Sequence, residues 1–255
     1  MPRTAPTRGA RGTRRALRRA AVALAALAAA AAAAPPGTAA VRGAPARPAV
    51  AAAGVRELRP AAAPAAGNQE LRAVAAPGPD DAWAVGYEES PDGGLPLVER
   101  FDGAAWRAVE APHPDGGSTT LEAVAAFGPD DVGAAGGTGP ADGPAGPYLL
   151  HWDGTGGRAA DLPAEAGGAL HALAAGGDGA LWAAGGQPAA ATAAFTLRRS
   201  GGRWTRLPAG AGPAGEDVSL LAVAAVPGTG AAWAVGSTLP QLQDAWHAVI
   251  EEYRP

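Results

Sequence analysis

Tyr87-Glu88-Glu89 places a phenol beside two carboxylates, and paired carboxylates are the groups that carry glycoside cleavage by acid and base. Adjacent residues on a strand point to opposite sides, however, so Tyr87 and Glu88 make a poor nucleophile pair if this stretch is extended. Gln187 and Gln241 add amide donors and acceptors, and Trp246 adds a flat apolar face suited to a sugar or a side chain. We take Tyr87, Glu88, Glu89, Gln187, Gln241 and Trp246 as the ligand-contact candidates. His113, His151, His171 and His247 lie too far apart in sequence to form a metal-binding pair on one element, and no calcium loop is present. Ser90, Ser118, Ser200, Ser219 and Ser237 all lack the G-x-S-x-G frame of a nucleophile elbow. The chain has no Cys, which excludes thiolate metal sites, a Cys nucleophile and disulfides. No phosphate-cradling glycine loop stands between a strand and a helix. We therefore assign no catalytic residue, no metal and no cofactor.

The elements that must hold these residues repeat. Leu71-Arg-Ala-Val-Ala-Ala-Pro-Gly-Pro-Asp-Asp-Ala-Trp-Ala-Val-Gly86 returns at Leu121–Gly136, at Leu170–Gly185 and, aligned by sequence, at Leu221–Gly236. A period near 50 residues marks a repeat architecture. Each copy divides into four short runs. Pro77-Gly78-Pro79-Asp80-Asp81 separates the first two, and Asp102-Gly103 is a hairpin signal before Trp106-Arg107-Ala108-Val109. Ala favours helix, but the Gly and Pro spacing leaves no room for one. Four antiparallel strands per copy predict an all-β fold, a β-propeller of about four four-stranded blades. Val55–Leu58 fits the fourth-strand slot missing after Val249–Tyr253, so the N-terminal strand is expected to close the last blade. The recurring Trp83, Trp106, Trp182, Trp204 and Trp233 are expected to pack between blades. Asp80-Asp81 and Asp130-Asp131 read as turn caps. Gly133 and Gly157 stand where other copies carry Trp, which predicts that the second blade is the most weakly packed. The segments Tyr87–Gly94, Gly137–Pro147, Gln187–Ala194 and Ser237–Ala245 read as variable loops opening on one face, where function is usually grafted.

Residues 1–40 contain seven Arg and no acidic residue, then an apolar run and Pro35-Pro36-Gly37. That order predicts a secretory signal peptide, and Arg14-Arg15 suits twin-arginine export. Residues 41–53, rich in Ala and Pro, read as a flexible linker, and 54–255 as the propeller. Removing the leader leaves 13 Arg against 24 acidic residues, a formal charge of −11. Such a surface repels nucleic acid on average. After leader removal no membrane span is expected, and the protein is expected outside the cytoplasm.

Ala82-Trp83-Ala84-Val85-Gly86 followed by Glu99-Arg-Phe-Asp-Gly-Ala-Ala-Trp106 resembles the kelch-like propeller repeats of secreted bacterial proteins. Leu181–Gly185 with Trp204, and Ala232–Gly236, carry the same pattern. The resemblance spans residues 54–255. It implies architecture but little about activity, because propellers host enzymes, binders and scaffolds alike. Asp178-Gly179-Ala180-Leu181-Trp182 also approaches the sialidase Asp-box, but Gly176 stands where Ser or Thr belongs. The resulting expectation is an exported, non-enzymatic binding or scaffold module for a protein or glycan, monomeric or dimeric. A sialidase-like glycoside hydrolase and a truncated propeller without independent function are the alternatives.

Overall fold

A computed structural model describes residues 67–114, 117–140, 146–164, 167–186, 194–208, 216–240 and 246–254. The leader, the linker, Val55–Leu58, Gln187 and Gln241 lie outside the described residues. Every described element is a strand. The first sheet is β1 (Gln69–Gly78), β2 (Asp81–Ser90), β3 (Gly93–Phe101) and β4 (Trp106–Ala108). The second is β5 (Ser118–Gly128), β6 (Asp131–Gly139), β7 (Gly146–Trp152) and β8 (Gly157–Ala159). The third is β9 (Ala169–Ala175), β10 (Leu181–Gly186), β11 (Phe195–Ser200) and β12 (Arg203–Pro208). The fourth has three described strands, β13 (Glu216–Ala225), β14 (Ala232–Pro240) and β15 (His247–Tyr253). Strands pair antiparallel in chain order within each sheet, which is the blade topology of a β-propeller.

Successive sheets pack face to face. Trp83, Val85 and Val98 of the first meet Leu121, Val132, Tyr148 and Leu150 of the second. Ala125, Ala135 and Leu149 of the second meet Leu181, Leu197 and Phe195 of the third. Trp182 and Ala184 of the third meet Ala232, Leu220 and Ala234 of the fourth. The small Ala side chains on second strands let the sheets approach, and the larger neighbours fill the gap. Each large apolar side chain so buried contributes about 1.5–3 kcal/mol.

The glycine closing the A-x-G phrase on each second strand has a steric cause. All four inner strands bulge at one place, between Leu71 and Ala73, Leu121 and Ala123, Leu170 and Ala172, and Leu220 and Ala222. The bulge drives the inner backbone toward the second strand. A Cβ on Gly86, Gly136, Gly185 or Gly236 would strike the carbonyl oxygen of Glu70, Thr120, Ala169 or Ser219 respectively. In this register Leu220, not Leu221, is the counterpart of Leu71, so the fourth copy begins one residue before its sequence alignment.

Three other expectations differ from the structure. Tyr87–Glu89 do not lie in a loop: β2 runs on to Ser90, and the hairpin turns at Pro91-Asp92. The Ser90 hydroxyl closes it by donating to Gly93 O at 2.6 Å. The polar composition hid the strand because this end is solvated on both sides. The second sheet is also well packed. A Cβ on Gly133 would come within 2.8 Å of Leu181 Cδ2, so a neighbouring sheet's leucine fills the space of the absent Trp. Finally, Asp81 and Asp131 do not cap turns. Asp81 accepts from Arg100 Nε at 3.1 Å, and Asp131 pairs with His151 Nε2 at 2.8 Å. Capping falls to Asp102, which accepts the Ala104 and Ala105 amides at 3.0 and 2.9 Å, and to Asp153. The Thr155 hydroxyl and amide hold the Asp153 carboxyl at about 2.

Candidate functional site

The bulge gives each inner strand one residue outside the alternating pattern: Arg72, Glu122, His171 and Leu221. These four share a slot in a frame that otherwise repeats, and none matches another. Inner strands β1 and β5 pack together, as do β5 and β9. Arg72 therefore reaches the neighbouring sheet and donates through Nη1 to Glu122, while its Nε donates to Glu70 at 3.3 Å. Its guanidinium also lies 4.8 Å above the Tyr87 ring. Tyr87 donates its hydroxyl to Glu70 at 3.0 Å.

This arrangement sets the protonation states. The Glu122 carboxylate raises Arg72 further above the ordinary arginine range, against the cost of its partial burial. Glu70 accepts from the neutral phenol and thereby raises Tyr87 above its ordinary value. Burial pushes His171 below the ordinary histidine range, with Glu122 and the Gly186 backbone opposing. The neutral phenol and the arginine shared between two carboxylates form a set of fixed hydrogen-bonding groups at this end of the sheets.

Tyr87, Glu88 and Glu89 thus belong to one end of the first sheet, on opposite faces in alternation. Gln69 Nε2 donates to Glu88 at 3.0 Å, and Asn68 Nδ2 donates to Glu89 at 2.7 Å. Each candidate on β2 has a polar partner on or just before β1. Trp246 precedes β15 and is 66% exposed. Sequence reading missed Asn68, Gln69, Glu70, Arg72 and Glu122. The available signal was the position after the first Leu of each copy, which varies inside a phrase that otherwise repeats.

The recurring second-strand Trp residues are buried in the first and third sheets, whereas Trp233 of the fourth is 44% exposed and does not pack between sheets as expected. Trp83 and Trp182 are buried and lie 5.1 and 5.5 Å beneath Arg100 and Arg198. Arg198 in turn donates to Asp178 at 2.7 Å. The gap lined by Trp83, Val85, Val98, Val132, Leu150 and Trp152 is apolar packing space between the first two sheets. Among the described residues no cluster of three or more His, Asp or Glu has metal-binding geometry. Nor is any described helix long and apolar enough to cross a membrane.

No protein-family profile and no curated protein matches the chain. Among solved structures it is similar to YCF48 bound to D1 peptide, at 16% sequence identity and a TM-score of 0.37, over 69% of this chain and 51% of that one. The chain thus spans about half the length of that structure.

Proposed function

We propose that this chain is an exported, non-catalytic propeller module of kelch-like type. It recognises a protein or glycan at the end of the sheets bearing Tyr87, Glu88, Glu89 and Arg72. The observation that carries this reading is the set of cross-strand polar pairs at that end, Asn68–Glu89, Gln69–Glu88 and Glu70–Tyr87–Arg72–Glu122. They are side chains that differ from copy to copy on a frame that repeats. Four carboxylates against one guanidinium make this end acidic and favour a protein segment carrying Lys or Arg. The −11 charge of the chain without its leader acts in the same direction.

The test is binding of the full chain to arrays of basic, neutral and acidic peptides and to a glycan array. Basic peptides are expected to be selected, with affinity falling as salt rises. Glu88→Gln with Glu89→Gln should weaken binding about tenfold while leaving the melting point unchanged. Selection of acidic ligands, or binding indifferent to both substitutions, would overturn the reading. The Tyr87–Glu70 bond invites comparison with a sialidase-type hydrolase. Such a site needs free arginines for its carboxylate substrate, and Arg72 is occupied by Glu70 and Glu122. Release of chromophore from a nitrophenyl sialoside, lost in Tyr87→Phe, would favour the hydrolase instead.

A further inference from the structure

Among the described residues two sheet faces are exposed, and the repeat shows what fits them. Facing forward from each sheet are two slots on the second strand and one on the third. In the first sheet these hold Trp83, Val85 and Val98, which are 1%, 0% and 4% exposed because the second sheet covers them. The register places Trp233, Val235 and Ile250 in the same slots of the fourth sheet, where they are 44%, 41% and 69% exposed. The backward side of the first sheet is open at its inner strand. Leu71 is 41% exposed where Leu121, Leu170 and Leu220 are fully buried, and Val74 is 67% exposed where Val124 is 9%.

The aromatic residues identify the missing neighbour. Trp83 packs 5.4 Å from Trp152 of the next sheet, and Trp182 packs 5.9 Å from Tyr253 of the next. Trp152 and Tyr253 occupy one register position, opposite Val132 and Ala232. In the third sheet that position, opposite Leu181, is Arg199, and the sheet before it carries Gly133 in place of Trp. An aromatic there thus accompanies a Trp on the preceding sheet, and its absence accompanies a Gly. In the first sheet the position, opposite Ala82, is Phe101. The first sheet thus carries, in Phe101, an aromatic at the position that elsewhere meets a Trp of the preceding sheet, here packed on Trp106 of its own sheet at 5.6 Å, and among the described residues Trp233 meets no following sheet. Among the described residues both faces are exposed, and β1 has no contact with β13 as extensive as those of β1 with β5, β5 with β9 and β9 with β13.

We infer that the fourth sheet docks, through Trp233, Val235 and Ile250, on the first sheet of a second copy of this chain. The contact is head-to-tail, with Phe101 of one copy receiving Trp233 of the other. Two such joints close a ring of eight sheets. Because these side chains are exposed within the chain, changing them leaves the fold intact and isolates association. Light scattering with sedimentation on the full chain should give twice 24.9 kDa. Trp233→Arg and Val74→Arg should each weaken the dimer about thirtyfold or more with unchanged circular dichroism. Mixing the two variants should restore a dimer, because each retains the face the other lacks. A mass of one chain at about 100 μM, a ladder of higher masses, or a dimer untouched by Val74→Arg would each overturn the inference.

Discussion

Ala82-Trp83-Ala84-Val85-Gly86 and Ala232-Trp233-Ala234-Val235-Gly236 are the same five residues on the second strand of their sheets. Both cross an inner-strand bulge at the same glycine. Yet Trp83 is 1% exposed and Trp233 is 44%. The strand, its register and its bulge are local products of the phrase, and they come out alike in both places. Burial is not local, because the neighbouring sheet supplies it. Trp83 has Trp152 beside it, whereas Trp233 has solvent within its own chain.

Substituting the two tryptophans breaks the comparison most directly. Trp83→Ala should cost about 3–5 kcal/mol in urea unfolding, since it opens a cavity between two sheets. Trp233→Ala should cost under about 1 kcal/mol in dilute protein. Equal losses would mean that the last sheet is covered in the monomer. The glycines should behave the other way. Gly86→Ala and Gly236→Ala are each expected to cost about 2 kcal/mol or more, because both Cβ atoms would strike backbone at the bulge. A tolerated Gly236→Ala would show that the fourth sheet does not form the bulge.

A smaller effect is expected at Gly133. There the obstacle is the movable end of Leu181, so Gly133→Ala should cost about 1 kcal/mol, read from the same unfolding curves. The smallest concerns His171. Its folded-state pKa lies below the ordinary value of 6.5 because of burial, so below that pH the unfolded chain takes up the proton more readily. Its stabilising contribution is thus present above about pH 6.5 and declines as the pH falls below it. His171→Gln should flatten the melting-point profile between pH 7 and 5, and an unchanged slope would assign that slope to other groups.

Much of the fold was legible because the copies stand in register. Turn signals, Pro-Asp-Asp in the first two copies and Gly-rich stretches in the last two, divide the copies into runs, and among the described residues strands fill every slot but the last of the fourth sheet. The site was less legible. Tyr87 to Glu89 read as a loop because both strand faces are polar there, which removes the alternation that marks a half-buried strand. Arg72 and Glu122 went unnoticed because they stand 50 residues apart and meet only when β5 packs beside β1. Gly133 suggested weak packing because the leucine that fills its space comes from the next copy.

By itself, the sequence determined the period, the strand order within each sheet and the need for glycine at the bulge. All three follow from backbone sterics and hydrogen bonding over a few residues. Only the tertiary structure decided which copies of one phrase are buried, which charged side chains meet and which two faces remain open. Those outcomes depend on surfaces contributed by different repeats, and no single phrase contains both halves of a joint.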